Sequence, residues 1–266
     1  MRARAWWAAA LAGAVAVLAG CGGTGGGSPA GTSSGTSVGD PVTGIVTVLA
    51  AASLTESFST LGRRFESAHP GVRVVFSFGA SSDLATQITQ GAPGDVFAAA
   101  SPATMDTVTR AGEARGDPQV FASNVLAIAV PPGNPARVAG LADLARPGVK
   151  VALCAVQVPC GAAATKLLAA DGVVVRPVTL ERDVKAALTK VELGEVDAAL
   201  VYRTDVRAAG GKVTGIEIPD AAKAVNRYPI VVLSGAKNAT AAQAFVDYVR
   251  SDAGRQVLGD AGFTLP

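Results

Sequence analysis

The sequence is poor in the side chains on which most hydrolases and nucleic-acid-binding proteins depend. Its 266 residues include one histidine, His69, and three cysteines. A multi-histidine zinc site or a Ser-His-Asp triad would therefore have to be built on His69 alone. Arg2 and Arg4 account for two of the 23 Lys and Arg, so 21 basic residues face 21 acidic ones after residue 20. That balance leaves no basic footprint and argues against nucleic-acid binding.

Aromatic residues are also scarce, at 5% of the chain, whereas apolar residues make up 49%. This composition predicts a folded core built mainly from Ala, Val and Leu and excludes wholesale disorder.

The N-terminus has the composition of an export signal. Arg2 and Arg4 precede an uncharged run over residues 5–20, which is short of the roughly 20 residues that a spanning helix needs. We therefore predict a signal peptide over residues 1–20. The run ends in Leu18-Ala19-Gly20-Cys21, which resembles the lipobox of bacterial lipoproteins, and the resemblance implies a mature chain acylated at Cys21. The alternative is an ordinary signal peptide with a cysteine nearby.

The segment that follows is too polar and too rich in small residues to fold. Of the 20 residues from Gly22 to Pro41, 15 are Gly, Ser or Thr. We predict a flexible tether over residues 21–42, which would hold a folded domain away from a membrane.

From residue 45 onward, apolar runs alternate with helical stripes. The segment 45–52 is apolar apart from Thr47, as in a strand of a parallel sheet, and Leu54, Phe58, Leu61 and Phe65 then form one helical face. Further strands are predicted at 72–78, 95–100, 125–130, 149–153, 197–202 and 230–233, and further helices near 84–88, 105–108, 162–170, 184–193 and 244–249. This order predicts an α/β protein with two halves of about 100 residues each and a cleft between them.

Four strand-to-helix junctions are candidate ligand-binding segments, because ligands of α/β sheets lie at helix N-termini with free N–H groups. They are Ala50–Leu54, Gly79–Leu84, Val158–Gly161 and Glu181–Val184. They offer hydroxyl and main-chain N–H groups, with no lysine or arginine pocket. Together with the helix dipoles, such groups favour a small anion.

Five strings of residues resemble the periplasmic molybdate-binding proteins of ABC uptake systems, and the resemblance runs from about residue 46 to residue 265. The strings are Ala51–Leu54, Ser81–Ile88, Gly91–Phe97, Val158–Gly161 and Leu200–Tyr202. The resemblance implies a two-lobed type II binding fold and a monomer that binds molybdate, and tungstate as well. It implies delivery of the anion to an ABC permease, and neither enzymatic activity nor a cofactor. Lobe 1 would comprise residues 43–123 and 225–266, lobe 2 residues 124–224, with hinge crossings at 124–130 and about 227–233.

Carried over position by position, the resemblance implies an anion held only by uncharged donors. Ser53 and Ser81 would give hydroxyl and N–H groups, Cys160 and Val184 their N–H groups, and Tyr202 its phenol. Cys160 departs from the family, which commonly has a small residue there, and this puts the clearance around the anion in doubt. A pocket made only of donors also disfavours protonated phosphate, which must itself donate.

Each of these residues also has a purely structural interpretation. Ser53 and Ser81 are residue types that cap helix N-termini, as is Asp183, which we interpret as the cap that leaves Val184 N–H free. Tyr202 ends an apolar strand and would otherwise be a rim residue. His69 is interpreted as a solvated helix C-cap.

With Cys21 acylated, Cys154 and Cys160 are the two remaining cysteines of an exported chain, and we predict a disulfide between them. A metal or catalytic role would lack a histidine or carboxylate partner nearby in sequence.

Three alternatives stay open at this point. One is a protein of the same fold for sulfate, ferric iron or a polyamine, although iron would require several tyrosines or carboxylates and the chain has only three tyrosines. A second is a secreted hydrolase, for which His69 would be a poor base. The third is a surface interaction lipoprotein that binds no solute.

Overall fold

The computed structural model describes residues 42–266, and these residues contain ten named strands. The strands are β1 (Gly44–Ala51), β2 (Val72–Gly79), β3 (Val96–Ala98), β4 (Ala114–Asn124), β5 (Leu126–Val130), β6 (Val151–Cys154), β7 (Thr179–Glu181), β8 (Ala198–Tyr202), β9 (Thr214–Ile216) and β10 (Asn226–Leu233). They form two five-stranded sheets with the orders β2-β1-β3-β10-β4 and β7-β6-β8-β5-β9.

Both sheets are mixed rather than wholly parallel. In the first, β1 is parallel to β2 and β3, while β10 runs antiparallel to β3 and β4. In the second, β6 is parallel to β7 and β8, while β5 runs antiparallel to β8 and β9. The parallel strands thus carry the crossover helices, whose N-termini follow the carboxyl ends of the strands.

Eight α-helices cover the sheets of the described chain. They are α1 (Thr55–Ala68), α2 (Ser81–Thr89), α3 (Pro102–Arg110), α4 (Pro159–Ala170), α5 (Val184–Glu192), α6 (Arg203–Ala209), α7 (Ala239–Arg250) and α8 (Asp252–Asp260). Short 3-10 segments occur at Ala52–Leu54, Leu141–Ala145, Gly210–Lys212 and Ala221–Ala224. Helix α1 buries Phe58, Leu61 and Phe65, as the apolar stripe predicts, and ends at the C-cap residue His69.

The two sheets have separate cores of different composition. The first is rich in aromatic rings, with Phe58, Phe65 and Phe245 packed edge to face at centroid distances of 5.4 to 6.1 Å. The second is built almost entirely from Ala, Val and Leu, and Tyr202 is its aromatic member. Separate cores are expected of two α/β halves joined by few connections.

The chain passes between the sheets at Val125, where β4 ends and β5 is about to begin, and returns at Val225 before β10. The predicted second crossing at 227–233 is wrong, because all of β10 pairs within the first sheet. Asn124 and Asn226 are register partners beside the two crossings. Both sheets belong to one compact unit.

Several elements were not predicted, chief among them β4. Most of its residues are at least partly exposed, so its sequence has no apolar run, and Gly116 with φ +77° favours a turn. Pairing with the buried strand β10 stabilises it instead. The three-residue strands β7 and β9 were also missed, since strands of that length give no usable periodicity, and so were the helices α6 and α8.

The predicted signal peptide, Cys21 and the tether up to residue 41 lie outside the described residues. Val42, assigned to the tether, packs against the first core. Within residues 42–266, no helix combines the length and apolar character needed to cross a membrane.

Candidate functional site

A small cavity lies between the two halves, where the N-terminal ends of four helical segments meet. Two of these segments, the 3-10 turn at Ala52–Leu54 and α2, follow strands of the first sheet; α4 and α5 follow strands of the second. We call this space the interlobe cavity. Its lining residues are Ala51, Ala52, Ser53, Gly79, Ala80, Ser81, Ala100, Val158, Pro159, Cys160, Asp183, Val184 and Tyr202. The structure therefore brings together all five residues that the sequence predicted as anion ligands.

On the first-sheet side, the hydroxyls of Ser53 and Ser81 are buried and do not cap their helices. Ser81 Oγ accepts a hydrogen bond of 2.9 Å from the N–H of Ala100, and Ser53 Oγ lies 2.9 Å from Tyr228 Oη. The capping interpretation of these serines is wrong, because neither helix start has a side-chain cap. Since Ala100 donates to Ser81, the hydroxyl hydrogen of Ser81 is left for a partner in the cavity.

On the second-sheet side, the cavity is walled by the first turns of α4 and α5. Asp183 caps α5, with Oδ1 accepting from Ala186 N–H at 2.9 Å, as predicted. Cys160 and Val184 occupy first-turn positions, whose N–H groups have no partner inside the helix. Two helix N-termini thus present unpaired donors and positive dipole ends to the same space.

The start of α4 is held in place by a disulfide bond between Cys154 and Cys160, as predicted from the cysteine count. Gly161 allows the close approach of this turn, since a Cβ there would lie 1.9 Å from the carbonyl oxygen of Ala155. Together the two features fix the position of the Cys160 N–H.

Tyr202 ends β8 and is 1% exposed, so its interpretation as a rim residue is wrong. Its hydroxyl is buried and forms no hydrogen bond within residues 42–266. Burial, above all, raises the pKa of this phenol well above its ordinary value, so the group stays a neutral O–H donor at all physiological pH. A buried donor without a partner is costly, about 1 to 3 kcal/mol, and a ligand in the cavity would remove that cost.

The size of the interlobe cavity and the charges of its lining limit what it can hold. Its volume is about 20 Å³, a little above the roughly 10 to 15 Å³ that a single water molecule requires. A space of this size suits a small inorganic group. Among residues 42–266, no Lys or Arg lines it, and the one charged lining residue is Asp183. Its Oδ1 accepts from the start of α5, and its Oδ2 lies 3.7 Å from Arg182 Nε.

Charged side chains form a separate ion cluster beside the cavity, which the sequence did not predict. Lys185 Nζ lies 2.8 Å from both carboxylate oxygens of Glu56 on α1 and 3.1 Å from Oδ1 of Asp205 on α6. Asp205 also accepts from Tyr202 N–H at 3.1 Å. The Glu56–Lys185 pair joins the first half of the molecule to the second.

The ion cluster shifts the pKa values of its members. Burial raises the pKa of Asp205 from 3.8 to about 6, although Lys185 opposes the shift. Burial lowers the pKa of Lys185, but the carboxylates of Asp205 and Glu56 more than offset this, so the pKa is raised overall. Lys185 therefore stays charged, while Asp205 titrates in the mildly acidic range.

A larger cavity of about 380 Å³ lies on the other side of Ser53, between α1, α6 and α8. Its walls carry Arg64 and Arg207 but also Glu56 and Asp260, so it presents charges of both signs. Its size makes it a poor match for a single small anion. In the described part of the chain, no group of three or more His, Cys, Asp or Glu could hold a metal ion.

Two α/β halves with a small cavity between them, lined by helix N-termini from both, define a two-lobed solute-binding protein. Residues 46–264 match the model of a family described as bacterial extracellular solute-binding protein. The molybdate-binding protein ModA of Mycobacterium tuberculosis H37Rv is 44% identical over 221 residues, which are 83% of this chain and 85% of that protein.

Solved structures share the fold. The periplasmic molybdate-binding protein of Azotobacter vinelandii matches with a TM-score of 0.75 and 24% identity, over 83% of this chain and 99% of that one. The sulfate-binding protein SubI of M. tuberculosis H37Rv matches with a TM-score of 0.71 and 21% identity, over 82% and 86%.

The chain belongs to the bacterial extracellular solute-binding proteins and, within them, to the family of the ModA proteins. This is a family of extracytoplasmic binding proteins and not of enzymes.

Proposed function

We propose that this protein captures molybdate, and tungstate as well, outside the cytoplasm and delivers it to the permease of an ABC importer. The observation that carries the proposal is the convergence of uncharged donors from both halves on one cavity of about 20 Å³. The ligand set is the one predicted from the sequence. Ser53, Ser81 and Tyr202 would donate through hydroxyls, and Ser53, Ser81, Cys160 and Val184 through N–H groups.

The magnitudes support this ligand set. A hydrogen bond to a charged group contributes about 1.5 to 3 kcal/mol, so some seven donors would supply roughly 10 to 20 kcal/mol before dehydration and closure are subtracted. Micromolar binding requires only about 8 kcal/mol net. Neutral donors also select by geometry, whereas a buried lysine would attract any anion of suitable charge.

We further propose that residues 43–123 with 225–266 form one lobe and residues 124–224 the other. Each proposed lobe contains one sheet, with two apolar clusters packed against the first sheet and one against the second. The crossings at Val125 and Val225 would serve as the hinge, and the anion would shift the equilibrium from an open to a closed form because it contacts both lobes only when they close.

We also propose that the protein is a monomer anchored to the outer face of the membrane through acylated Cys21. The lipobox-like sequence and the composition of the tether support the anchor. Replacing Cys21 by alanine should move the protein from the membrane fraction to the soluble fraction in the producing cell. Retention of Cys21→Ala in the membrane would contradict the anchor.

Titration calorimetry of the soluble domain with molybdate, tungstate, sulfate and phosphate tests the solute. We expect strong and similar binding of molybdate and tungstate, much weaker binding of sulfate, and no heat with phosphate. Stronger binding of sulfate would assign the cavity to sulfate, and no heat with any anion would remove the proposed function.

A further inference from the structure

Tyr228 lies behind the interlobe cavity, in contact with one of its walls. Its side chain is fully buried on β10, and its Oη is 2.9 Å from Ser53 Oγ. It does not line the cavity itself. The ring is held edge to face against Phe263 and Tyr202, at centroid distances of 5.3 and 6.1 Å. The phenol oxygen therefore has little freedom to leave Ser53.

The direction of this hydrogen bond decides whether Ser53 presents its hydrogen or a lone pair to the cavity. Each hydroxyl carries one hydrogen. If Tyr228 donates, the hydrogen of Ser53 is free to point at a ligand. If Ser53 donates instead, the cavity faces a lone pair, which repels an anion.

Two features favour donation by Tyr228. A phenol oxygen shares a lone pair with its ring and so is a weaker hydrogen-bond acceptor than an aliphatic hydroxyl, which favours Tyr228 as the donor and Ser53 as the acceptor in the 2.9 Å contact. Within residues 42–266, Ser53 Oγ is also the one hydrogen-bond partner of Tyr228 Oη, and the neighbouring hydroxyl of Tyr202 is not bonded to it, so the phenol hydrogen has no other acceptor there.

Ser81 shows the same arrangement with an unambiguous donor. The N–H of Ala100 can only donate, so it fixes Ser81 Oγ as an acceptor on its protein side and leaves the Ser81 hydrogen for the cavity. A donating Tyr228 would in the same way make Ser53 Oγ an acceptor on its protein side and leave the Ser53 hydrogen for the cavity.

We propose that Tyr228 is a positioning residue that fixes the hydroxyl of Ser53 as a hydrogen-bond donor towards the bound oxoanion. This inference rests on the proposed function. It adds a selectivity device, since a Ser53 that is held as a donor is a poor partner for the O–H of a protonated anion such as hydrogen phosphate.

Tyr228→Phe tests the proposal, with Tyr248→Phe on α7 as the matched control in a half-buried position. Calorimetry should show molybdate binding about five- to tenfold weaker in Tyr228→Phe, the loss expected for one hydrogen bond, and unchanged binding in the control. Phosphate, which is expected to give no heat with the wild type, should bind detectably to Tyr228→Phe, which general damage to the fold would not cause. In a Ser53→Ala background, Tyr228→Phe should cost less than about twofold, because the two residues act as one unit.

Wild-type affinity and selectivity in Tyr228→Phe would overturn the inference while leaving the proposed function intact, and so would an equal loss in the Ser53→Ala background. Absence of oxoanion binding by the wild-type protein would remove the proposed function and the inference together. Neutron diffraction of the wild-type protein gives a readout that needs neither variant nor ligand. It should place the deuterium on Tyr228 Oη along the line to Ser53 Oγ, and a deuterium on Ser53 that points at Tyr228 would contradict the assignment.

Discussion

The ion cluster of Glu56, Lys185 and Asp205 lies on three of the chain segments that line the interlobe cavity, yet the cluster consists of charged groups and the cavity ligands of neutral ones. Each cavity ligand on these segments has a cluster member within three positions: Ser53 and Glu56, Val184 and Lys185, Tyr202 and Asp205. The cavity residues offer neutral O–H and N–H groups, whereas the cluster pairs full charges with one another.

The comparison shows that an anion site can keep charged side chains out of its cavity and still have ion pairs next to it. Lys185 forms ion pairs with two carboxylates, so it offers little net attraction to an anion in the cavity. The cavity can then select by the positions of its donors, and the Glu56–Lys185 pair can hold the two halves together.

The largest expected effect comes from placing a charge inside the cavity. Ser81→Asp would put a carboxylate beside the dianion, and like charges at 4 Å repel by about 4 kcal/mol per pair at an effective dielectric constant near 20. We expect molybdate binding to fall by more than about a thousandfold. Ser82→Asp, one residue further along α2 and outside the cavity lining, should bind normally. Measurable binding by Ser81→Asp would place the anion elsewhere.

The ion cluster should give an unusual pH dependence of stability. Because the folded protein holds the proton of Asp205 more tightly than the unfolded chain, this group stabilises the fold most below pH 3.8, and the contribution is lost as the pH rises to about 6. A pKa difference of this size corresponds to roughly 3 kcal/mol. The free energy of unfolding of the wild type minus that of Asp205→Asn, measured in urea from pH 4 to 8, should therefore fall as the pH rises to about 6 and then level off. A difference that rises over this range would contradict the assignment.

Removing a single neutral donor should have a smaller effect. Tyr202→Phe deletes a buried O–H with no partner in the described chain, and loss of a hydrogen bond to a charged group should weaken molybdate binding roughly 10- to 100-fold. The melting temperature without ligand should not fall, since the hydroxyl contributes no bond to the unliganded fold. Wild-type affinity in this variant would show that the phenol does not touch the anion.

The smallest effect is expected from the Glu56–Lys185 pair, which forms a bridge between the halves. Lys185 and Glu56 are partly exposed, with 24% and 53% of their side-chain surface accessible, and such pairs contribute about 1 kcal/mol or less. Glu56→Gln should weaken molybdate binding by no more than about fivefold, and the difference should shrink in high salt.

Glu195→Gln is the matched control for the bridge, because it removes an ion pair with Lys190 inside one half. Its binding should equal that of the wild type. Equal effects of the two substitutions would show that the bridge has no part in closure.

The sequence was sufficient for the features that depend on local pattern. The buried stripe of Phe58, Leu61 and Phe65 predicted α1, and Asp183 was correctly interpreted as the cap of α5. The five ligand positions came from the resemblance to a family and not from periodicity, and that they hold the anion remains a prediction. What the structure adds is that they meet at one cavity.

The features that escaped prediction depend on contacts between distant segments. Tyr228 is 175 positions from Ser53, and Lys185 is 129 positions from Glu56, so no spacing pattern links either pair. The strand β4 was missed for a related reason, because its exposed residues give no apolar signal and pairing with β10 holds it.

A crystal structure with bound molybdate tests the central claim most directly, because the molybdenum atom can be located by anomalous scattering. The account predicts one strong peak in the interlobe cavity, with the oxygens of the anion within hydrogen-bond distance of Ser53, Ser81 and Tyr202 and no lysine or arginine in contact. A peak in the larger cavity, beside Arg64 and Arg207, would contradict it.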